Sequence, residues 1–269
     1  MLYLLIDVPA IAYSSYFAMH GLSHDGDDTS AIFGVFKMLR RLQDSHPDGH
    51  PIFCFDVGHG LRKKMNKHYK LKATYDLEDK TDAINRAELH RQLDELRLSY
   101  LHAAGYKNVF YQEGYEADDI IASLCNTLDG HALIVSRDHD LWQLLRRNVR
   151  MLDPHTGKIK TSKDFREEWG LHPSKWASVK AIAGCKSDNV LGIHGIGERT
   201  AANYVAGKKL SAAREKLLNE HGERMLNQNL PLVKLPLPGV KRFTVRVDDV
   251  STKKWNHVMR ALGMASLKL

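Results

Sequence analysis

The chain has 269 residues, 43% hydrophobic and 26% charged, a balance that suits a soluble globular fold and excludes collagen-like, disordered and disulfide-rich chains. Its 39 Lys and Arg exceed its 32 Asp and Glu by +7, which favours a polyanionic partner, nucleic acid first. Cys54, Cys125 and Cys185 show no Cys-x-x-Cys spacing, so neither a thiolate zinc site nor a disulfide framework is expected, and a reducing compartment fits.

Residues 2–6 form a short apolar run closed by Asp7. It lacks the basic flank of a signal peptide and falls short of the roughly 18 apolar residues of a membrane span, so it predicts a buried strand. Next, Ile32, Val35, Phe36 and Leu39 recur at helical spacing within residues 29–42. Residues 51–55 are a second apolar run, followed at once by Asp56. A long insertion covers about 58–104. Its first part, 61–72, carries Arg62, Lys63, Lys64, Lys67, Lys70 and Lys72 with Tyr69; its later part, 83–101, predicts a long amphipathic helix. Residues 108–111 and 131–136 are further apolar runs, separated by a helical stripe of Ala117, Ile120, Ile121, Leu124, Cys125 and Leu128. The runs are continuous rather than alternating, as in strands buried on both faces. Strands alternating with helices then predict an α/β domain with a mostly parallel sheet over about residues 1–165. Residues 166–269 read as a smaller helical part, punctuated by Pro173, the glycines of 192–197 and Gly207. Its tail from about 229 mixes Pro-rich turns with a short alternating run at 243–247.

In parallel α/β sheets ligands bind beyond the carboxyl ends of the strands. Asp7, Asp56 and the pair Asp138 and Asp140 each follow an apolar run, and Glu116, Asp118 and Asp119 open the helix after the third. Each acid alone suits a helix cap or a turn, but their joint placement predicts one acidic cluster. Carboxylates packed side by side repel, and a hard divalent cation relieves them. Two such ions about 4 Å apart can stabilise the attacking and leaving oxygens of phosphodiester hydrolysis. An acidic pocket in a basic protein therefore predicts an enzyme that grips nucleic acid and cuts it with metal.

Gly192, Gly195 and Gly197 form a turn with a helix before it and another from about Glu198, unlike the strand-first dinucleotide fingerprint. The turn is either a phosphate-holding loop at a helix N-terminus or a tight helix–helix connection without a ligand. The basic segment 61–72 is likewise either a set of phosphate contacts, with Tyr69 stacking on a base, or a solvated face.

Asp7, Phe55-Asp56, Leu61-Arg62, Tyr69-Lys70, Gly114-Tyr-Glu-Ala-Asp-Asp119, Ser136-Arg-Asp-His-Asp140 and Ser187-Asp-Asn-Val-Leu-Gly-Ile-His-Gly-Ile-Gly197 stand in the chain in that order. The set resembles the 5′-nuclease superfamily: phage 5′-exonucleases, flap endonucleases and the N-terminal nuclease domain of bacterial DNA polymerase I. The likeness runs from Asp7 to at least Val205. It implies a PIN-like α/β core, a helical arch built by the insertion, and a helix–three-turn–helix element in the helical part. It also implies that Asp7, Asp56, Glu116, Asp118 and Asp138 ligate or support a first Mg²⁺ or Mn²⁺, with Asp119 in the same cluster. Asp140 and Asp188 would belong to a second ion. Arg62 and Lys70, at the base of the arch, would contact the scissile phosphate as catalytic groups, and Tyr69 would stack near the terminal bases. Lys67, Arg199 and the turn of Gly192, Gly195 and Gly197 would hold DNA; in some relatives such a turn also binds K⁺ through its carbonyls.

Two positions depart from the pattern of that superfamily. Where Gly-Asp-x-x-Asp-Asn is usual, the chain reads Gly184-Cys-Lys-Ser-Asp-Asn189, so Cys185 replaces an aspartate of the second metal site. A thiol is soft and a poor Mg²⁺ ligand, which predicts a weaker second ion or a preference for Mn²⁺. Ala73 stands where an arginine often follows the Tyr-Lys pair. The resemblance implies a structure-selective 5′-3′ exonuclease or flap endonuclease acting on branched or 5′-ended DNA, RNA primer ends included. Its setting would be replication or repair in the cytoplasm of a bacterial or phage-infected cell. The rival reading is a flap- or junction-binding protein that cuts weakly or not at all because of Cys185; an RNA-directed nuclease of similar fold is a third. With no heptad run, a monomer is expected.

Overall fold

The computed structural model describes residues 1–19, 21–58, 60–71 and 80–269. β1 (Leu2–Asp7) is covered on both sides: Tyr3 and Leu5 enter one hydrophobic cluster, Leu4 and Ile6 another, the two-residue period of a strand. α1 (Val8–Ala18) follows. Then, past a small hairpin of β2 (Ser23–His24) and β3 (Asp27–Asp28), comes α2 (Ser30–Ser45). Both helices pack on the face of Leu4 and Ile6. β4 (Gly49–Cys54) returns parallel to β1. The short α3 (Leu61–Met65) and the long α4 (Lys80–Glu95) belong to the insertion. α4 runs on through a π turn at Leu96–Tyr100 into α5 (Leu101–Ala103), which leads to β5 (Val109–Phe110) beside β4. α6 (Ala117–Thr127) covers the opposite face and leads to β6 (His131–Val135), which pairs with the other edge of β1. β7 (Val149–Leu152) continues parallel, and β8 (Ile159–Lys160) closes the edge antiparallel.

The six-stranded sheet has the order β5-β4-β1-β6-β7-β8 and is parallel but for β8. This is the mostly parallel α/β architecture that the continuous apolar runs predict. The chain leaves β1 for one side and then crosses to the other, so strand order reverses at β1. Ligands of open α/β sheets sit at such a reversal, beyond the carboxyl ends. Asp7 is in register with Cys54, and Ile6 with Val135, so Asp7, Asp56 and the segment after β6 share one edge.

The remaining helices are α7 (Ser162–Trp169), α8 (Trp176–Ala183), α9 (Glu198–Val205), α10 (Ala212–Val233) and α11 (Thr252–Ala261). α7 to α10 extend the cluster over α6, with Trp169 and Trp176 rings 4.6 Å apart at its centre. α11 returns to α2, where Trp255 meets Phe36 edge-on at 5.4 Å. Between α8 and α9 lies a ribbon of β9 (Gly184–Cys185) and β10 (Val190–Leu191). Gly184 has φ +82°, and a Cβ on Gly192 would lie 2.1 Å from the Ala183 carbonyl carbon, so only glycine lets the chain leaving β10 pass this close to the end of α8. The alternating run at 243–247 joins no sheet. Instead, Asn108 bonds both the N–H and the C=O of Arg246, and Phe243 stacks on Phe110 at 4.9 Å.

Candidate active site

Asp7 ends β1 with its carboxylate turned into the edge. It accepts hydrogen bonds from the Ser136 hydroxyl at 2.6 Å and the Ala10 N–H at 3.2 Å. Burial pushes its pKa up to about 7 despite the Ser136 bond, and Asp56 and Asp138 add to the rise. Asp56 accepts the Ala117 N–H at 2.6 Å, which locks the start of α6 onto the end of β4. Burial raises its pKa too, with Lys70 opposing and Glu116 adding. Asp118 is pushed well above the ordinary carboxylate range by burial, then by Asp138 and Asp7. Asp138 caps the 3₁₀ helix His139–Leu144 by accepting the Asp140 N–H at 2.7 Å. Asp140, the next acid along, is raised to about 6 by burial and Asp138, while Lys180 opposes. Lys180 lies 2.9 Å from Asp140 and 3.0 Å from Glu198. Asp188 is raised by burial, with Lys70 opposing. The edge therefore brings Asp7, Asp56, Glu116, Asp118, Asp138, Asp140 and Asp188 into one electrostatic cluster that Lys70 and Lys180 offset only in part.

The base of the insertion meets this cluster through Lys70. Its Nζ lies 3.0 Å from Glu116 and 4.0 Å from Asp188, and the side chain is 40% exposed. Burial works against the ammonium, but Glu116, Asp56 and Asp188 outweigh it and hold the group charged. Its backbone takes φ +50° and donates to the Asp188 carbonyl at 2.8 Å, so the insertion is fastened to the segment that carries Asp188. Asn189 adds a second fastening, donating to the His68 carbonyl at 3.0 Å.

Two expected roles need correction, those of Arg62 and Tyr69. Arg62 is 2% exposed and does not face the open cleft. Its guanidinium donates to both oxygens of Asp119 at 2.6 and 2.8 Å, to Glu116 at 3.4 Å and to the Leu232 carbonyl at 2.7 Å. With its donors engaged this way, Arg62 holds Glu116 in place and is a positioning residue. Asp119 is fully buried in that pair and also accepts the Glu116 and Leu237 N–H groups; it forms the inner side of the acidic cluster, sharing Arg62 with Glu116 and adding to the rise at Asp56. Tyr69 is 3% exposed, packs with Ala181, Cys185, Val190, Leu232 and Val233, and donates to Glu116 at 3.1 Å. Its ring is core, not a stacking platform. Arg62→Met should cost about 3–5 kcal/mol, because Asp119 is then a buried charge without its partner. Adding Asp119→Leu should recover most of the loss in urea unfolding. A single variant within about 0.5 kcal/mol of the parent would show that the pair carries no such weight.

The remaining expected residues lie at the periphery. Lys63, Lys64 and Lys67 are exposed, as is Arg199, whose guanidinium sits 4.0 Å over the Trp169 ring and donates to the Glu168 carbonyl. Gly195, with φ +79°, and Gly197 have open space where a Cβ would project, so that turn is sterically accessible to a phosphate. Lys72 and Ala73 fall outside the described residues. Polar groups that sequence reading missed include Ser136, Lys180 and Gln143. Gln143 joins the Asp140 carbonyl to Val233 and Leu235. Among the described residues, no helix is long and apolar enough to cross a membrane.

The donors at the ends of β1, β4 and β6 and at the start of α6 are all carboxylate oxygens, three of them (Asp7, Asp56 and Asp118) raised in pKa by burial, and this set fits a hard divalent ion. Asp140, Asp188 and Cys185 form a second group whose ligand atoms all lie within 4.8 Å of one another. Its sulfur does not suit Mg²⁺. Residues 2–170 match the family described as 5′-3′ exonuclease, N-terminal resolvase-like domain. The chain belongs to that family. It is 31% identical over 252 residues to the thermostable DNA polymerase I of Thermus aquaticus, covering 87% of this chain and 29% of that protein. It thus spans about three tenths of the length of the polymerases it matches. Bacteriophage T5 5′-exonuclease with bound zinc superposes with a TM-score of 0.73 at 21% identity, over 88% of this chain and 90% of that one. A T5 flap endonuclease complex with DNA and metal ions gives 0.67 at 20% identity, over 98% of this chain and 100% of that one. At these identities the superpositions show the shared fold.

Proposed function

We propose that the chain is a divalent-metal-dependent 5′-nuclease that hydrolyses DNA phosphodiesters at branched or 5′-ended sites. The observation that carries this reading is the convergence of Asp7, Asp56, Glu116, Asp118 and Asp138 on one edge, with charged Lys70 beside them. These five carboxylates would hold a divalent ion. Bound there, divalent ions would supply Lewis-acid stabilisation for phosphodiester hydrolysis. Lys70 would offset negative charge developing on the phosphate, and Glu116, Asp56 and Asp188 keep it protonated. Arg62 and Tyr69 hold Glu116 from behind. Ser136 holds Asp7 and, through its Oγ, the Asp138 N–H at 3.0 Å. Gly192, Gly195 and Gly197, with Lys67 and Arg199, would grip duplex phosphates, and K⁺ would bind through carbonyls of that turn if the resemblance extends to it. Residues 166–269 then act as the DNA-holding part beside the sheet.

The test is single-turnover cleavage of a 5′-labelled DNA flap, and of the same flap in RNA, with Mg²⁺, Mn²⁺ or EDTA. Cutting of the DNA flap that EDTA removes is the expected result. Salt-sensitive binding with an intact flap in both metals would replace the nuclease reading with that of a non-cutting flap binder, the reading Cys185 favours. Preferential cutting of the RNA flap would change the substrate class.

A further inference from the structure

We propose that Cys185, Asp140 and Asp188 form a mixed thiolate–carboxylate site that binds a thiophilic divalent ion of the zinc class and discriminates against Mg²⁺. This rests on the nuclease reading for its context and concerns only the second ion. The Cys185 sulfur lies 3.4 Å from Asp188 Oδ2 and 3.9 Å from Asp140 Oδ2. A tetrahedral zinc site with Zn–S near 2.3 Å and Zn–O near 2.1 Å has sulfur–oxygen edges of about 3.6 Å, which these separations bracket. Both are S–H···O contacts in the ion-free protein, so little movement would seat such an ion, whereas an octahedral Mg²⁺ site calls for oxygen at every corner.

The surroundings hold the ligands in place. Lys180 sits on Asp140 Oδ1 at 2.9 Å, while Oδ2 lies 3.9 Å from the sulfur. Ser187 Oγ lies 3.0 Å from the sulfur and steadies its rotamer. Cys185 is pinned by pairing with Val190 in the β9–β10 ribbon and is 4% exposed, packed with Tyr69, Ala181 and Val190. Sulfur is a soft donor, which suits an ion of the zinc class and not Mg²⁺. Cysteine spacing alone could not suggest this site, because the partners of the sulfur are carboxylates.

The test is titration of Co²⁺ into the full chain without DNA, read as thiolate-to-cobalt charge transfer in the near ultraviolet. One equivalent should produce the band. Zn²⁺ should bleach it stoichiometrically, and a thousandfold excess of Mg²⁺ should leave it. Cys185→Ser should lose the band and weaken Zn²⁺ binding at least about tenfold. Cys185→Asp, which keeps a ligand and serves if the serine variant is unstable, should lose the band while still binding an ion. No Co²⁺ binding, binding without the band, a band that survives both substitutions, or displacement by Mg²⁺ would each overturn the proposal. Flap cleavage in Mg²⁺ with no thiolate band sinks this inference and spares the nuclease reading. A band with no cleavage in any ion does the reverse.

Discussion

Asp138→Asn is expected to lower single-turnover flap cleavage at least about a thousandfold while flap binding in EDTA stays within about threefold of the parent. Asp138 is the hub of the charge network: it raises the pKa of Asp7, Asp118, Asp140 and Asp188. It thus lies close to both donor groups. Its structural duty is modest, since one oxygen caps the 3₁₀ helix through the Asp140 N–H. An asparagine carbonyl can keep that bond, so the fold survives and only the charge is lost. A loss of several kcal/mol of electrostatic stabilisation in the transition state corresponds to the stated fall in rate. Binding should hold because its phosphate contacts lie elsewhere and a negative charge has been removed. Cleavage within about tenfold of the parent would take Asp138 out of the metal-holding set.

The sheet was legible where strands are buried on both faces. β1, β4 and β6 read as continuous apolar runs, and each ends at or just before an acid, so their parallel order and the acidic edge follow together. β7 was not legible, because exposed Arg150 breaks its short run, and β8 has only two residues. Within the site, Asp118 and Asp119 look equivalent in sequence. Successive helical residues point about 100° apart, however, so when Asp118 faces the cluster Asp119 must turn inward. It does so onto Arg62, a partner 57 positions away that no local pattern reveals. Arg62 and Tyr69 read as exposed because they sit in a basic run, yet α10 and the β9–β10 ribbon cover them. Gln92 was missed for the mirror-image reason. A glutamine in an amphipathic helix reads as surface, but this one is buried and accepts the Ala31 and Ile32 N–H groups at the start of α2. That bond supplies the cap that Thr29 does not provide through its side chain.

Asp7→Asn is expected to abolish cleavage and yet raise the thermal midpoint in EDTA at pH 8, on the order of ten degrees. The native carboxyl has a pKa of about 7 against an ordinary 3.8, chiefly through burial. The folded state therefore binds this proton more tightly than the unfolded chain does. Stability from this group is complete below the unfolded value, falls as pH rises from about 4, and is lost above 7, at a cost of roughly 4 kcal/mol. Asparagine cannot ionise and escapes that cost, and its carbonyl can still accept the Ala10 N–H. The gap between variant and parent should thus shrink to about 1 kcal/mol at pH 4.5. Slope that remains in the variant includes the contributions of Asp56, Asp118, Asp140 and Asp188, whose pKa values are also raised. A divalent ion should lift the parent at pH 8 far more than the variant, because it supplies the charge compensation that protonation supplies in acid. Thermal melts of both proteins at pH 4.5 and 8, with and without Mn²⁺, test this. An asparagine variant less stable than the parent at pH 8, or an equal gap at both pH values, would show that Asp7 is held ionised by the fold rather than destabilised by it. In that case the cluster would need no cation to offset it, and the metal reading of this edge would lose its electrostatic basis.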